Sequence, residues 1–265
     1  MSITFNGTTE NIDFVFNKDG IKLFLRRFMD LIKVGETIKL RIDRNSVLLY
    51  AAVGKQQIIA FKSAVSDVSD LVTDVEDLPN GYMDFVFINP ANFVNNTGFY
   101  LADDMDVMCR MKRRVGSSYA QELQMTNGKI SHVFLCGDAS ELPSKVRELS
   151  IEQIESKMDP ANCNFSFEVD KEVLDRVRRL CKNNKDTEIV NIYVKSGSVK
   201  IGTHKWKVDA GKVEDVSDTK LTFAKKYLYC VEPADAVKFN VFEEFVLIKE
   251  GETRLMIGLE LDDVK

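Results

Sequence analysis

The sequence predicts an α+β chain of two tandem domains, each built of antiparallel sheets with two helices on one face. Three observations carry this. One order of elements is written twice, the strand-like segments alternate and meet at short turns, and each copy holds a strongly amphipathic helix. A length of 265 residues accommodates two such domains of middling size.

The first copy opens at Asp13-Phe14-Val15-Phe16 and the second at Asn164-Phe165-Ser166-Phe167. An offset of about 151 sets Asp19 over Asp170, Leu23 over Leu174, Arg27 over Arg178 and Ile38 over Ile189. One further residue of offset lays Val47 on Val199 and Leu49 on Ile201. Each opening strand runs into a helix. Ile21, Phe24, Leu25, Phe28, Leu31 and Ile32 recur at helical spacing in the first copy; Val173, Leu174, Val177, Leu180 and Cys181 do so in the second. Asp19 and Asp170 stand where N-caps are expected.

Alternating strands follow, over 37–42 and 47–53 against 188–194 and 199–201, with turns at Asn45-Ser46 and Ser196-Gly197. Each copy then has a second short helical candidate: 90–96, opened by Asn89-Pro90, and 222–230. Three strands close each copy, over 106–113, 119–125 and 130–135 against 236–242, 245–249 and 254–261. Asn127-Gly128 and Glu250-Gly251 supply hairpin turns. The limits are an N-terminal domain over 1–140, a polar connector over 141–162 containing Pro143 and Pro160, and a C-terminal domain over 163–265.

Several function classes fall away on composition and motif. Five scattered cysteines (Cys109, Cys136, Cys163, Cys181, Cys230) form no C-x-x-C pair and predict free thiols in a reducing compartment. Neither His132 nor His204 has a partner at ligand spacing, so no metal and no cofactor is expected. No phosphate loop, dinucleotide fingerprint, nucleophile elbow or zinc-protease helix occurs. The acidic pairs Asp103-Asp104, Glu243-Glu244 and Asp262-Asp263 are adjacent, and adjacent residues on a strand face opposite ways. A non-enzyme is expected. No apolar run reaches membrane-spanning length and the polar N-terminus lacks signal-peptide order, which makes a cytoplasmic protein the expectation.

Charge is distributed unevenly. The net is −5, yet Lys22, Arg26, Arg27, Lys33, Lys171, Arg176, Arg178, Arg179, Lys182, Lys185, Lys225 and Lys226 crowd into three helical segments. Those segments hold twelve basic residues against Asp30, Glu172 and Asp175, a net of +9 that leaves −14 for the rest of the chain. Basic helices backed by an acidic remainder suit a surface that attracts phosphates and reads no bases.

The segment Leu221-Thr222-Phe223-Ala224-Lys225-Lys226-Tyr227-Leu228 resembles the second short helix in the C-terminal domain of proliferating cell nuclear antigen. Leu255-Met256-Ile257-Gly258-Leu259-Glu260-Leu261 resembles that domain's closing hairpin, and 165–194 its opening strand, helix and strand. The resemblance is to DNA sliding clamps, nearest to those of T-even-type bacteriophages, and is best over 160–263. Few residues follow Leu261, so the partner-binding tail of the eukaryotic clamp is expected to be missing, as in phage clamps. The helical candidate 90–96 has no lysine or arginine.

The resemblance implies a two-domain DNA-clamp fold and a homotrimeric ring on double-stranded DNA that tethers DNA polymerase and is placed by a clamp loader. It implies that the twelve basic residues line the hole. It also implies subunit contacts between 129–136 and 205–208, through Ile130, His132, Phe134, Trp206 and Val208. Client peptides are implied near Ile151, Ile154 and Met158, for which packing onto their own domain is an equal reading. Two alternatives stand beside the ring: a monomeric processivity factor that binds DNA on an open basic face, and a β-rich scaffold whose helices meet an acidic protein.

Overall fold

The computed structural model describes residues 8–54, 58–73, 78, 81–231 and 235–259. The pair Asp262-Asp263, the N-terminal residues before Thr8 and the end of the expected last strand lie outside them. The chain forms two compact units. One comprises the chain up to Ala52 with Ser63–Glu148; the other comprises Val53–Lys62 with the chain from Leu149 onward.

In the first unit β1 (Thr9–Phe16) leads into α1 (Lys18–Ile32), then β2 (Ile38–Asp43), β3 (Ser46–Val53) and β4 (Ala60–Asp67). A single turn, α2 (Val68–Leu71), and β5 (Val72–Thr73) precede β6 (Tyr82–Phe87), α3 (Pro90–Thr97), β7 (Val107–Arg114), β8 (Ala120–Thr126) and β9 (Ser131–Leu135). The strands lie in the orders β5-β1-β7-β8-β9 and β4-β3-β2-β6. Aromatic packing fixes the helices. Phe24 stacks on Phe16 at 4.8 Å, Phe28 lies 4.7 Å from Phe93, and Phe93 reaches Phe87 and Phe134 at 4.6 Å each. One side chain of α3 thus joins α1, β6 and β9, and pairs of this kind add about 0.5–1.5 kcal/mol each beyond area burial. Gly20 lets α1 approach, since a Cβ there would lie 2.3 Å from the Leu71 carbonyl oxygen.

The helix begins earlier than expected. Asn17, not Asp19, is its N-cap: the Asn17 Oδ1 accepts from Gly20 N at 2.6 Å, and Asp19 sits in the first turn. Asp170 does occupy the cap position of the second helix, but its carboxylate makes no capping hydrogen bond.

A buried ionic cluster ends the first unit. Asp84 takes Arg41 through two hydrogen bonds of 2.7 and 2.8 Å and Lys39 at 2.9 Å, with all three side chains almost wholly buried. Lys39 and Tyr50 then donate to the carbonyls of Arg147 and Val146, and Arg41 meets Glu148 at 3.2 Å. Residues 146–148 are therefore fastened to their own unit, Arg147 and Glu148 by charge-assisted bonds and Val146 by the Tyr50 hydroxyl.

In the second unit, α4 (Ile151–Lys157) precedes β10 (Phe165–Asp170), α5 (Lys171–Asn183), β11 (Ile189–Lys195) and β12 (Ser198–Gly202). Then come β13 (Lys207–Lys212), β14 (Thr219–Ala224), a 3-10 turn at Lys225–Cys230, β15 (Ala236–Val241), β16 (Phe245–Glu250) and β17 (Thr253–Gly258). The order β10-β15-β16-β17 repeats β1-β7-β8-β9, and β13-β12-β11-β14 repeats β4-β3-β2-β6. The duplication in the sequence is a duplication of topology. Ser196 and Gly197 both adopt positive φ, 47° and 77°, as a two-residue hairpin turn requires.

Two expected elements come out differently. The first third of the helical candidate 222–230 is strand: Thr222–Ala224 belong to β14, and only Lys225–Cys230 turn as 3-10 helix. The Ser140–Asn162 stretch is not a bare connector, because Ser150 and Gln153 form a reciprocal capping box at the start of α4.

Candidate nucleic-acid interface

The outward face of α1 carries Lys22, Arg26, Met29 and Lys33, opposite its buried stripe of Ile21, Phe24, Phe28 and Leu31. Most of its positive charge is answered locally. The Asp104 carboxylate takes Lys18 at 3.3 Å and Lys22 at 3.2 Å, and Asp106 accepts from Lys18 N at 2.9 Å. These bonds raise the Lys18 pKa and lower that of Asp104, in both cases chiefly through the side-chain hydrogen bond. Lys33 pairs with Asp30 one turn away, and Arg27 donates to the Val65 carbonyl at 2.9 Å. Arg26 remains exposed at the centre of the face. Nearby, α3 and the 3-10 turn Gly98–Leu101 bring no cation; they expose Phe99 and Leu101 instead.

The second unit is arranged otherwise. On α5 the buried stripe is Leu174, Val177 and Cys181, and Lys171, Arg176, Arg179 and Lys182 stand exposed around the rest of the helix. Lys185 and Lys226 are exposed beyond its end. Arg178 is spent on structure: it donates from Nε and Nη2 to the Leu228 carbonyl at 3.0 and 2.9 Å, and from Nη2 to Val231 at 2.5 Å. Lys225 binds the end of α5 in the same manner, donating to the carbonyl of its C-cap residue Asn184 at 3.0 Å. Of the twelve basic residues singled out by sequence, Arg27, Arg178 and Lys225 hold their own unit together. Lys22 and Lys33 are paired with acids, and the exposed group concentrates on α5. Counted from the caps Asn17 and Asp170, Arg27 and Arg178 are not equivalent positions, yet both donate to main-chain carbonyls.

The expected subunit-contact residues fall on or beside two edge strands. β9 is the last strand of its sheet and β13 the last of its own. Phe134 and Val208 are buried in their own units, Ile130 and Trp206 are half-buried, and His132 meets the Tyr100 hydroxyl at 3.2 Å. The side chains that β9 turns outward are Val133 and Leu135, 59% and 66% exposed. Sequence reasoning passed these over, although an apolar residue on either side of Phe134 was the available signal. Of the expected peptide-docking residues, Ile154 and Met158 are buried within the second unit and Ile151 is half-exposed.

Among the described residues, no cluster of three or more His, Cys, Asp or Glu is placed to hold a metal ion, and no helix is long and apolar enough to cross a membrane.

No protein-family model and no curated protein matches this sequence. Solved structures do. A DNA polymerase sliding clamp from Pseudomonas aeruginosa aligns over 99% of this chain and 69% of its own, with TM-score 0.66 at 12% identity. Proliferating cellular nuclear antigen from Entamoeba histolytica aligns over 94% of this chain and 99% of its own, with TM-score 0.59 at 11% identity. This chain has the DNA sliding-clamp fold. The Helicobacter pylori beta clamp, solved with a DNA ligase peptide, gives TM-score 0.62 at 11% identity, over 96% of this chain and 68% of its own. The chain spans about two thirds of the length of the bacterial clamps, 66% for the DNA polymerase III beta chain of Streptococcus pneumoniae, and nearly all of the Entamoeba clamp. The clamp fold explains why sheets and helices recur in one order within a single chain, at an identity too low for sequence comparison to register.

Proposed function

We propose that this chain is a DNA sliding clamp: a processivity factor without chemistry of its own, closed from three protomers around duplex DNA, that tethers a polymerase and other replication proteins. The observation that carries the reading is a pair of bare strand edges. In the second unit the outer side of β17 is met by the chain's own Ile59, whose carbonyl accepts from Gly258 N at 2.8 Å. A side chain at Gly258 would press on the Ile58 carbonyl at 2.8 Å, so the joint is close-fitting. By the repeat, β9 is the counterpart of β17 and β13 the counterpart of β4. Among the described residues neither β9 nor β13 has a strand on its outer side, and β9 exposes two large apolar residues, Val133 and Leu135, on the sheet face away from Phe134. Proteins normally protect such edges; pairing β9 of one protomer with β13 of the next would do so.

Near-complete coverage of the Entamoeba clamp supports a two-unit protomer and hence six units from three chains. The exposed α5 cations support sequence-independent phosphate contact, which lets a ring slide. The ligase peptide bound by the Helicobacter clamp supports short client peptides as partners, and a clamp loader would be needed to open the ring.

The deciding experiment loads the protein onto nicked circular DNA and onto the same DNA linearised, then washes with salt. Retention on circles with loss from linear ends is the expected result. Equal loss from both would favour the monomeric open-face factor.

A further inference from the structure

The outer face of the β13-β12-β11-β14 sheet carries a second basic surface that the sliding-clamp reading does not use. Lys195, Lys200, Lys207 and Lys220 line, with Tyr193, an open depression of about 740 Å³. All four are exposed, and all lie on the strand positions that alternate with the core residues Ile192, Val194, Val199 and Ile201. Register puts Lys220 and Lys200 directly across from Tyr193 on either side. Lys207 lies opposite Gly202, whose lack of a side chain leaves room for the ammonium to reach over the Tyr193 ring, 4.1 Å from its centroid. The one acid in the lining, Asp218, is engaged by Ser196 N at 2.7 Å. Asp209 faces Lys200 across the strands and accepts from Gly211 N at 3.2 Å.

The Tyr193 ring is held in place. Asn191, buried on the same face, donates to the Tyr193 hydroxyl at 3.2 Å and to the Gly202 carbonyl at 3.4 Å, and accepts from Thr222 Oγ1 at 2.6 Å. Lys207 over the ring and Lys200 opposite Asp209 are favourable pairs, so the face presents its lysines beside an aromatic ring that is already held in place.

We propose that this face binds single-stranded nucleic acid. The lysines supply sequence-independent phosphate contacts, and Tyr193 supplies a platform for an unstacked base once the Lys207 ammonium shifts to a phosphate. A duplex offers no base face to such a ring, and an acidic peptide makes no use of it. The patch points away from the core side of its sheet and does not include the α5 cations; its Lys207 lies on β13, the edge proposed to meet β9 of the next protomer.

The test is fluorescence anisotropy with a labelled oligo(dT) of about 15 nucleotides, a length in the range that single-strand-binding domains cover. The combined variant Lys195→Ala/Lys200→Ala/Lys220→Ala is expected to bind about tenfold more weakly and to lower the salt slope by roughly two, from three lost contacts at about 0.7 each. Tyr193→Leu is expected to weaken binding a few-fold and leave the salt slope unchanged. Melting temperatures equal to that of the parent would establish that these exposed replacements leave the fold intact. Parental affinity in the triple-lysine variant overturns the proposal, as does loss of oligo(dT) binding in an Arg176→Ala/Arg179→Ala/Lys182→Ala variant instead. Displacement of the oligonucleotide by polyglutamate at matched charge overturns it in favour of an acidic protein. The lysine variant should still be retained on circular duplex; failure of the parent in that assay sinks the ring and leaves the oligo(dT) result standing.

Discussion

Arg178 of α5 donates twice to the carbonyl of Leu228, so the most central cation of the basic helix is a bracket between that helix and the turn at Lys225–Cys230. It is a poor residue with which to probe DNA binding. Arg178→Ala should lower stability by about 2 kcal/mol, the scale of a hydrogen bond to a charged group, and show as a lower urea midpoint at unchanged m.

The neighbours behave oppositely. Arg176→Ala/Arg179→Ala/Lys182→Ala should leave stability within about 0.5 kcal/mol per site, because these side chains touch mainly solvent. Three lost phosphate contacts should flatten the log-affinity slope for duplex DNA against log salt by roughly three. An unchanged slope would remove α5 from the duplex contact.

Asp104 should act as a brake on the first unit's helix. Replacing it with asparagine frees Lys18 and Lys22, and duplex affinity at low salt should rise by roughly three- to tenfold. The Asp104 pKa is lowered in the folded chain, so this restraint is present above the ordinary carboxylate range and fades as pH falls through the folded value. Parental affinity in Asp104→Asn would show that the two lysines never reach phosphate.

Asp84→Ala should be among the most damaging single changes in the first unit. It strands Lys39 and Arg41 without their carboxylate, and breaking a buried ion pair from one side costs about 3–5 kcal/mol. Equilibrium denaturation measures this directly. Loss under about 1 kcal/mol would mean that water reaches the cluster.

Leu135→Asp on β9 should shift the assembly without unfolding the protomer. Light scattering of the parent is expected near three times 30.1 kDa and of the variant near 30.1 kDa. A parental mass fixed at 30.1 kDa across concentrations would exclude the closed trimer.

Cysteine chemistry offers an independent check on packing. Cys109, Cys181 and Cys230 are buried, and burial pushes the Cys136 thiol up to about 12. Iodoacetamide near neutral pH should therefore modify half-exposed Cys163 first. Rapid modification of Cys136 would contradict the packing of β9 against its sheet.

The duplication was legible in sequence because the buried helix positions keep their spacing, Ile21, Phe24 and Phe28 against Leu174, Val177 and Cys181, while the identities around them drift. The first helix cap was displaced because Asn17 and Asp19 both suit an N-cap, and only Phe16 stacking on Phe24 decides where the strand stops. The facing of β9 was ambiguous for a related reason. Val133, Phe134 and Leu135 are all apolar, so alternation alone does not choose a face; the contact of Phe134 with Phe93 does. Charge was visible but its use was not. Whether an arginine meets a phosphate or a neighbouring carbonyl depends on tertiary partners such as Leu228, fifty residues away.

The self-neutralised α1 and the open α5 give the repeat an electrical polarity that its backbone lacks. In a ring of six units, strong and weak stations would alternate, three of each. A duplex inside would then have threefold rather than sixfold purchase, and could settle against one station and roll to the next. Friction would be set by the exposed arginines of every second unit, while the intervening aspartates kept the track smooth.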